Sequence, residues 1–360
     1  MMGEDKLKAI RDRIDGLDEQ IQALINARAQ CAKEVAELKN GVPAANFYRP
    51  EREAEVLRKV IARNPGPLSG EEMARLFREI MSACLALEQP MRIAYLGPEG
   101  TFTQAAALKH FGRSATTVAH AAIDEVFRDV EAAACHYGVV PVENSTEGVI
   151  THTLDMFLNS PLKIVGEVQL RIHHNLLSNA DQLMAVRRVY AHQQALAQCR
   201  EWLDEHLAGV ERIAMSSNAE AARHVANGTD AAAIASREAA DIYQLRVLAG
   251  NIEDEPDNTT RFLVVGREAV AASGRDKTSL LISAPNRPGA LYDLLAPLAE
   301  HGISMTRIES RPSRRGMWEY VFFADIEGHG TDPKVAQALE ALVSTAAMLK
   351  VLGSYPQAIL

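Results

Sequence analysis

The stretch HYGVVPVENSTEGVITHTLDMFL, residues 136–158, contains an apolar strand, a polar turn and the start of a helix. The β-branched residues that follow Gly138 predict a buried strand. The strand runs into a polar segment from Glu143 to Gly148, although an ordinary turn needs only one or two such side chains. Ligands of α/β sheets bind beyond the strand ends, so this tip predicts a site for a polar molecule.

The same strand-and-helix alternation continues through residues 92–267. It predicts parallel or mixed sheets with helices on both faces, divided into two lobes. Three further polar tips stand at residues 97–103, 215–218 and 257–262. Any one of them could be a simple helix cap. Because loops at one end of a sheet converge, four such tips together predict a shared cleft.

The first segment, residues 1–90, has an all-helical pattern. Its apolar residues alternate spacings of three and four along one predicted helix, at Leu7, Ile10, Ile14, Leu17, Ile21, Leu24, Cys31, Val35 and Leu38. Pro50 suits the first turn of a second helix, and Ser69 with Glu72 forms a capping box for a third. A helix of five heptads, about 50 Å long, cannot bury its seam on two shorter helices. We therefore expect it to pair with a second copy, in a homodimer or a higher homo-oligomer.

Cations interrupt the seam of this first helix. Arg28 stands where the heptad requires an apolar residue, and Lys39 lies eleven residues later, on the same face. Arg11 lies roughly 100° away around the helix and could face the partner chain. A buried cation is costly unless it is paired. These cations either set the helix register, with side chains that snorkel to solvent, or bind a ligand that carries carboxylates.

The third segment, residues 276–360, follows the order strand, helix, strand, strand, helix, strand. This βαββαβ order predicts a ferredoxin-like domain. The α/β segment is assigned to residues 91–270, and the few residues after it are a plausible linker. The fold class is therefore multidomain: an all-α domain, a two-lobed α/β domain and a ferredoxin-like domain.

Composition narrows the function classes. The chain has 360 residues, a net charge of −9 and no Lys/Arg block, so we expect no nucleic-acid partner. The N-terminus is charged and lacks an apolar leader, and no apolar run reaches membrane length. We therefore expect a cytoplasmic protein without a membrane partner. The four cysteines are far apart, and His173 and His174 should point to opposite faces of a strand, so we expect no metal and no cofactor.

The motifs AIRDRID (9–15), NAR (26–28), AELK (36–39) and YRPERE (48–53) resemble the all-helical chorismate mutase family. The resemblance implies an intertwined dimer that rearranges chorismate to prephenate without a nucleophile. Such catalysis folds the substrate and stabilises charge on an ether oxygen. The matching positions imply that Arg11 and Arg28 hold the carboxylates, and that Lys39 hydrogen-bonds the ether oxygen. They also imply that Arg52 and Glu53 form a further polar pair, with Glu53 at the substrate hydroxyl.

Two positions depart from this family's pattern. Glu88 stands where many relatives carry a neutral amide, so it must be protonated or tied to Lys39 to serve in catalysis. If Glu88 donates a proton, mutase activity should improve as the pH falls. Cys84 stands where relatives often have Ser, and we assign it only to the pocket lining.

The motifs GPEGTFT (97–103), VPVENSTEG (140–148), YAHQQALAQC (190–199) and NTTRF (258–262) resemble the prephenate dehydratases. The resemblance implies that prephenate binds between the lobes and loses water and carbon dioxide to give phenylpyruvate. Thr260 would donate to the departing hydroxyl, and Arg261 could hold a carboxylate or be structural. The other implied substrate contacts are Thr101, Glu143, Asn144, Ser145, Gln194, Ser217 and Phe262.

The motifs PNRPGAL (285–291) and IESRP (308–312) resemble the ACT regulatory domain, which implies L-phenylalanine as effector. The implied contacts are Asn286, Gly289, Ala290, Leu291, Glu309, Ser310, Arg311 and Pro312. In this order the three segments resemble the bifunctional mutase–dehydratases of phenylalanine biosynthesis, which are feedback-inhibited by phenylalanine. Two alternatives stay open. The helical segment could be only a dimerisation arm of a dehydratase, or the chain could be a non-catalytic two-lobed protein that senses an amino acid.

Overall fold

The computed structural model describes residues 2–39, 48–284, 287–312 and 320–359, without the side chains of residues 2, 3 and 39. The predicted effector contact Asn286 lies outside this described part. No helix within it is long and apolar enough to cross a membrane.

The described elements follow one another along the chain as α1 (Met2–Lys39), α2 (Pro50–Arg63), α3 (Gly70–Glu88), β1 (Arg92–Leu96), α4 (Phe102–Phe111), β2 (Thr116–His120), α5 (Ile123–Glu131), β3 (Tyr137–Asn144), β4 (Gly148–Val149), α6 (Thr151–Phe157), β5 (Lys163–Arg171), β6 (Asn175–Ser178), β7 (Arg188–His192), α7 (Gln193–Gln198), α8 (Arg200–His206), β8 (Glu211–Met215), α9 (Asn218–Val225), β9 (Ala231–Ala235), α10 (Arg237–Tyr243), β10 (Arg246–Ala249), β11 (Thr259–Gly266), β12 (Asp276–Ser283), α11 (Ala290–Glu300), β13 (Met305–Pro312), β14 (Tyr320–Glu327), α12 (Pro333–Thr345) and β15 (Met348–Pro356).

The helical segment is a long helix with two shorter helices beside it. The predicted cap is present, since Ser69 Oγ accepts a hydrogen bond from Glu72 N at 3.1 Å. The third helix, α3, packs against both α1 and α2. The apolar seam of α1 stays uncovered within one chain, with Leu24 71% and Leu38 82% exposed. An exposed apolar stripe of this length needs a partner surface.

The middle segment forms two lobes, as predicted. The first-lobe sheet has the order β2-β1-β3-β11-β5, with β4 beside β3. Within it, β1, β2 and β3 are parallel, and β11 runs antiparallel to β3 and β5. The second-lobe sheet has the order β10-β6-β9-β7-β8. The chain enters the second lobe after β5 and returns through β11, so two connections join the lobes.

The third segment is the predicted βαββαβ domain. Its sheet has the order β13-β14-β12-β15, and all neighbouring strands are antiparallel. This sheet shares a hydrophobic core with the first lobe, where Phe323 and Leu352 pack with Val142 and Leu263. Contact with β5 is so close that a Cβ on Gly353 would lie 2.1 Å from the carbonyl oxygen of Ile164. The sheet of the third segment therefore completes the hydrophobic core of the first lobe.

Candidate active site between the two lobes

A cleft of about 260 Å³ lies between the two lobes. All four polar tips identified in the sequence contribute to its walls. The polar and small residues that line it are Gly100, Thr101, Thr103, Asn144, Glu147, His174, His192, Gln194, Ala195, Gln198, Ser216, Ser217, Asn218, Ser236 and Thr260. Of the predicted contacts, the structure therefore brings together Thr101, Asn144, Gln194, Ser217 and Thr260.

Three helices begin at this cleft with capped N-termini. Thr101 caps α4, where its Oγ1 accepts from Gln104 N at 3.4 Å. Ser217 caps α9 through Glu220 N at 3.0 Å. Ser236 caps α10 through Ala239 N at 3.1 Å. A helix N-terminus carries the positive end of the helix dipole, so these three ends favour an anionic ligand.

Asn144 and Thr260 form a hydrogen-bonded pair at the edge of the cleft, because β3 and β11 place them opposite each other. Asn144 Oδ1 accepts from the backbone N–H groups of Thr146 and Glu147, at 3.0 and 2.9 Å. Its Nδ2 must then be the donor to Thr260 Oγ1 at 2.8 Å. Thr260 is thus an acceptor from Asn144 and keeps its own proton for a ligand.

The same amide donates to a relay that reaches the second lobe. Asn144 Nδ2 donates to Asn258 Oδ1 at 2.7 Å, and Asn258 Nδ2 donates to Gln198 Oε1 at 3.1 Å. Gln198 Oε1 also contacts His174 Nε2 at 2.8 Å, and an amide oxygen can only accept. Therefore His174 carries its proton on Nε2, and its Nδ1 is an acceptor.

His174 is suited to remain neutral. It is 2% exposed, and burial lowers its pKa below the ordinary value for histidine, although the hydrogen bond to Gln198 opposes the shift. Its buried Nδ1 has no hydrogen-bond partner among the described residues. A neutral ring with a bare Nδ1 can accept a hydrogen bond from a molecule in the cleft.

Sequence reasoning missed His174, Gln198, Asn258 and Glu147. Gln198 lies one helical turn after Gln194, and both donate to Glu147, at 3.1 and 3.4 Å. That i, i+4 spacing places both amides on one face of α7, which is the sequence feature that could have identified Gln198. His174 was considered only as a metal ligand, and its role in the relay requires the fold.

Three predicted contacts of the dehydratase site do not line the cleft, and we correct them. Glu143 and Arg261 neighbour Asn144 and Thr260 in sequence, and adjacent strand residues point to opposite faces. Glu143 accepts from Arg307 Nε at 2.8 Å, and Arg261 donates to Glu167 at 2.9 Å. Of the two roles left open for Arg261, the geometry gives the structural one. Phe262, 1% exposed, lies in the core beneath α4.

Ser145 also stands apart from the cleft walls. Its Oγ accepts from Thr259 N at 2.9 Å, and its own N–H donates to the Thr259 carbonyl at 2.9 Å. Both bonds fasten the polar tip of β3 to β11. Ser145 therefore holds Asn144 in place, and its direct contact with the substrate stays a prediction.

The predicted mutase residues do not form an enclosed site within one chain. Residues 4–15 of α1 are all exposed, and this range includes Arg11. Arg28 is half-buried, as is Glu88, while Cys84 is 4% exposed. The side chain of Lys39 lies outside the described part. Within one chain, Arg11 is thus open to solvent.

The polar pair on α2 divides between two surfaces. Arg52 faces solvent and pairs with Glu55 at 2.5 Å. Glu53 instead pairs with Arg78 at 3.2 Å in the junction between the helical segment and the first lobe. Burial raises the pKa of Glu53, and the Arg78 charge opposes the shift. The contact of Glu53 with the mutase substrate stays a prediction.

The predicted effector residues occupy the start of α11 and the strand β13. Gly289 has a φ of +80° and precedes the helix, which begins with the buried Ala290 and the exposed Leu291. On β13, Glu309 and Arg311 are partly buried, while Ser310 and Pro312 are exposed. Arg311 pairs with Asp155 of α6 at 3.0 Å. This strand therefore faces the first lobe with its charged side chains.

Comparison with known proteins assigns the class of each segment. Family models match as chorismate mutase type II over residues 10–89, prephenate dehydratase over residues 93–270 and the ACT domain over residues 278–344. The cleft thus belongs to a domain of the prephenate dehydratase class.

Full-length relatives and a solved structure agree with these matches. Bifunctional chorismate mutase/prephenate dehydratases of Stutzerimonas stutzeri and Pseudomonas aeruginosa are 57% and 56% identical over 365 residues, covering 100% of each chain. A crystal structure of prephenate dehydratase from Arthrobacter aurescens in complex with L-Phe matches with a TM-score of 0.69 and 35% identity, covering 74% of this chain and 90% of that chain. The chain belongs to the family of bifunctional chorismate mutase/prephenate dehydratases.

Proposed function

We infer that the chain is a bifunctional enzyme of phenylalanine biosynthesis. The helical segment rearranges chorismate to prephenate, and the cleft converts prephenate to phenylpyruvate. The observation that supports the second step best is the Asn144–Thr260 pair, which presents a hydroxyl donor beside three helix N-termini. A substrate with two carboxylates and a departing ring hydroxyl fits that combination.

In the dehydratase step, the bond from the ring to its carboxylate breaks and carbon dioxide leaves. The electron pair moves into the ring, and the ring hydroxyl departs from the opposite carbon as water after gaining a proton. Thr260 donates a hydrogen bond to that hydroxyl. The hydrogen bond that it accepts from Asn144 strengthens its own donation. Because threonine is a weak acid, Thr260 contributes by polarising the departing group.

The remaining walls of the cleft position the substrate. The N-termini of α4, α9 and α10 bind carboxylate oxygens, and Gln194 and His174 complete the polar lining. His174 Nδ1 accepts a hydrogen bond from the substrate or from a bound water. The relay through Gln198 holds the His174 ring in the required tautomer.

For the mutase step we propose a homodimer built on the exposed seam of α1. In it, Arg28 and Lys39 of one chain and Arg11 of the other surround chorismate, with Arg52, Cys84 and Glu88 nearby. The exposure of Leu24 and Leu38 supports this arrangement. Regulation follows from the ACT domain, with L-phenylalanine bound by the start of α11 and the end of β13.

Incubating the purified chain with chorismate tests the proposal. Phenylpyruvate as product supports both activities. Accumulation of prephenate leaves only the mutase, and turnover of prephenate but not of chorismate makes the helical segment a dimerisation arm. No turnover of either compound favours the amino-acid-sensing binding protein. Arg28→Ala is the matched control, since it should stop chorismate consumption and leave prephenate turnover unchanged.

A further inference from the structure

Four charged side chains form two ion pairs that join the dehydratase sheet to the regulatory sheet. We call Glu143, Arg261, Arg307 and Asp325 the interface quartet. Glu143 and Arg261 are cross-strand partners on β3 and β11, and Arg307 and Asp325 are cross-strand partners on β13 and β14. Arg307 Nε donates to Glu143 at 2.8 Å, and Arg261 Nη1 donates to Asp325 at 2.5 Å. Each sheet therefore contributes one acidic and one basic member, and each ion pair crosses from one sheet to the other.

The quartet lies directly behind the reactive pair of the cleft. Glu143 and Arg261 are joined by one peptide bond each to Asn144 and Thr260. Their side chains point away from the cleft because successive residues of a strand alternate faces. Any displacement of Glu143 or Arg261 therefore moves the backbone that carries Asn144 or Thr260.

One member of the quartet, Arg307, lies on β13, the strand that carries predicted effector contacts. Arg307 lies two residues before Glu309 on this strand. Arg307 is 13% exposed, and its buried Nη2 has no hydrogen-bond partner among the described residues. One buried donor of the quartet thus lacks a hydrogen bond in this position of β13. A different position of β13, in which that donor is hydrogen-bonded, can therefore be close in free energy.

We propose that Glu143 and Arg261 are positioning residues for the dehydratase reaction, and that the interface quartet transmits the state of β13 to the Asn144–Thr260 pair. The proposal rests on the proposed dehydratase function of the cleft. Asn144 and Thr260 act on the substrate, whereas the quartet sets their separation and direction. An effector bound at β13 then changes turnover without entering the cleft.

Kinetics of Glu143→Gln, Arg307→Gln and the double variant in the full-length protein test this proposal. A misplacement of about 1 Å can cost on the order of 100-fold in rate, so each single variant should lower kcat for prephenate about 10- to 100-fold. KM should stay within about twofold, since the cleft walls are intact. Because both variants break one contact, the double variant should be no slower than the slower single variant. All three should lose most of their inhibition by phenylalanine.

Three controls separate positioning from folding. Chorismate consumption, measured on the same preparation, should stay at the wild-type rate if the chain is folded. Arg188→Gln removes a solvent-exposed pair with Asp230 in the second lobe and should leave kcat and phenylalanine inhibition unchanged. The reversed pair, Glu143→Arg with Arg307→Glu, should recover part of the lost kcat, which a role in stability alone would not predict.

The outcomes distinguish this inference from the proposed function. If the wild-type chain does not turn over prephenate, the proposed function fails. If the wild type is active and the folded single variants keep both wild-type kcat and wild-type inhibition, the quartet has no positioning role. Losses in the two single variants that multiply in the double variant would also overturn it, because they would show independent effects.

Discussion

His110 should make the junction between the helical segment and the first lobe sensitive to acid. It lies at the end of α4, where its Nε2 contacts Tyr48 OH at 2.9 Å. Burial raises the pKa of Tyr48, so the phenol remains protonated and donates to a neutral imidazole. Burial, together with the nearby Arg78 charge, lowers the pKa of His110 to about 3. The folded protein therefore resists protonation of this ring.

The sign and size of the effect follow from proton linkage. Below its ordinary pKa of about 6.5, His110 takes up a proton only in the unfolded chain. Its contribution to stability is complete above that pH and is lost as the pH falls toward 3. The slope is half of about 1.36 kcal/mol per pH unit at pH 6.5 and approaches the full value below it, which gives about 1.6 kcal/mol between pH 6.5 and pH 5. Because His110 is only partly buried by surface area, we expect about 1 kcal/mol.

His110→Gln removes the titration and keeps an acceptor for Tyr48. Unfolding in urea can be followed by circular dichroism at several pH values from about 7.5 to 5. The urea midpoint of the earliest unfolding transition should fall as the pH falls, and it should fall less steeply in His110→Gln than in the wild type. The exposed His152, changed to Gln, is the matched control and should follow the wild type. Parallel pH curves for wild type and His110→Gln would refute the reasoning, as would titration of the His110 ring near pH 6.5 by NMR.

Three further predictions concern the cleft, the domain contact and the helical segment. Thr260→Val should lower kcat for phenylpyruvate formation from prephenate about 100-fold or more, whereas Thr260→Ser should retain most activity. Gly353→Ala should lower the melting temperature, because its Cβ would meet the Ile164 carbonyl oxygen at 2.1 Å, whereas Gly228→Ala, with its nearest atom at 3.8 Å, should not. Chorismate consumption by the wild type should rise as the pH falls from about 8 to 5, and Glu88→Gln should flatten that profile, because an amide donates at every pH. A flat wild-type profile would remove the donor role of Glu88.

The local signals in the sequence predict the helices well. The start of α2 agrees with Pro50, and the Ser69 cap of α3 is confirmed. The strand β2 and the helix α5 are not predicted from the sequence. The strand has the half-exposed sequence TTVAH, and the helix has nine residues. The strand has too few residues for a period to emerge. The helix, in contrast, could have been predicted, because its apolar residues have the helical spacing of Ile123, Val126, Phe127 and Val130.

The candidate site shows where sequence reasoning ends. Asn144 ends the apolar strand β3 and Thr260 lies at the start of β11, and the polar tips together with the resemblance to prephenate dehydratases predicted both. The resemblance also placed their neighbours Glu143 and Arg261 at the site, and the sequence pattern does not contradict it because β3 and β11 are buried on both faces. Such strands lack the alternation of polar and apolar residues that reveals which side chain faces which way. The partners Arg307 and Asp325 lie far along the chain, so only the fold shows where the charges point.

The ion pairs between the two sheets have a physical role that apolar contacts alone would not supply. The surrounding core, with Phe323 and Leu352, is apolar and would tolerate small slips of one sheet over the other. A buried charge without a partner costs several kcal/mol, so a slip that separated Arg261 from Asp325 would be strongly opposed. The two sheets can therefore occupy only arrangements in which the charges pair. Discrete arrangements of this kind are what a regulatory domain requires to switch a distant site.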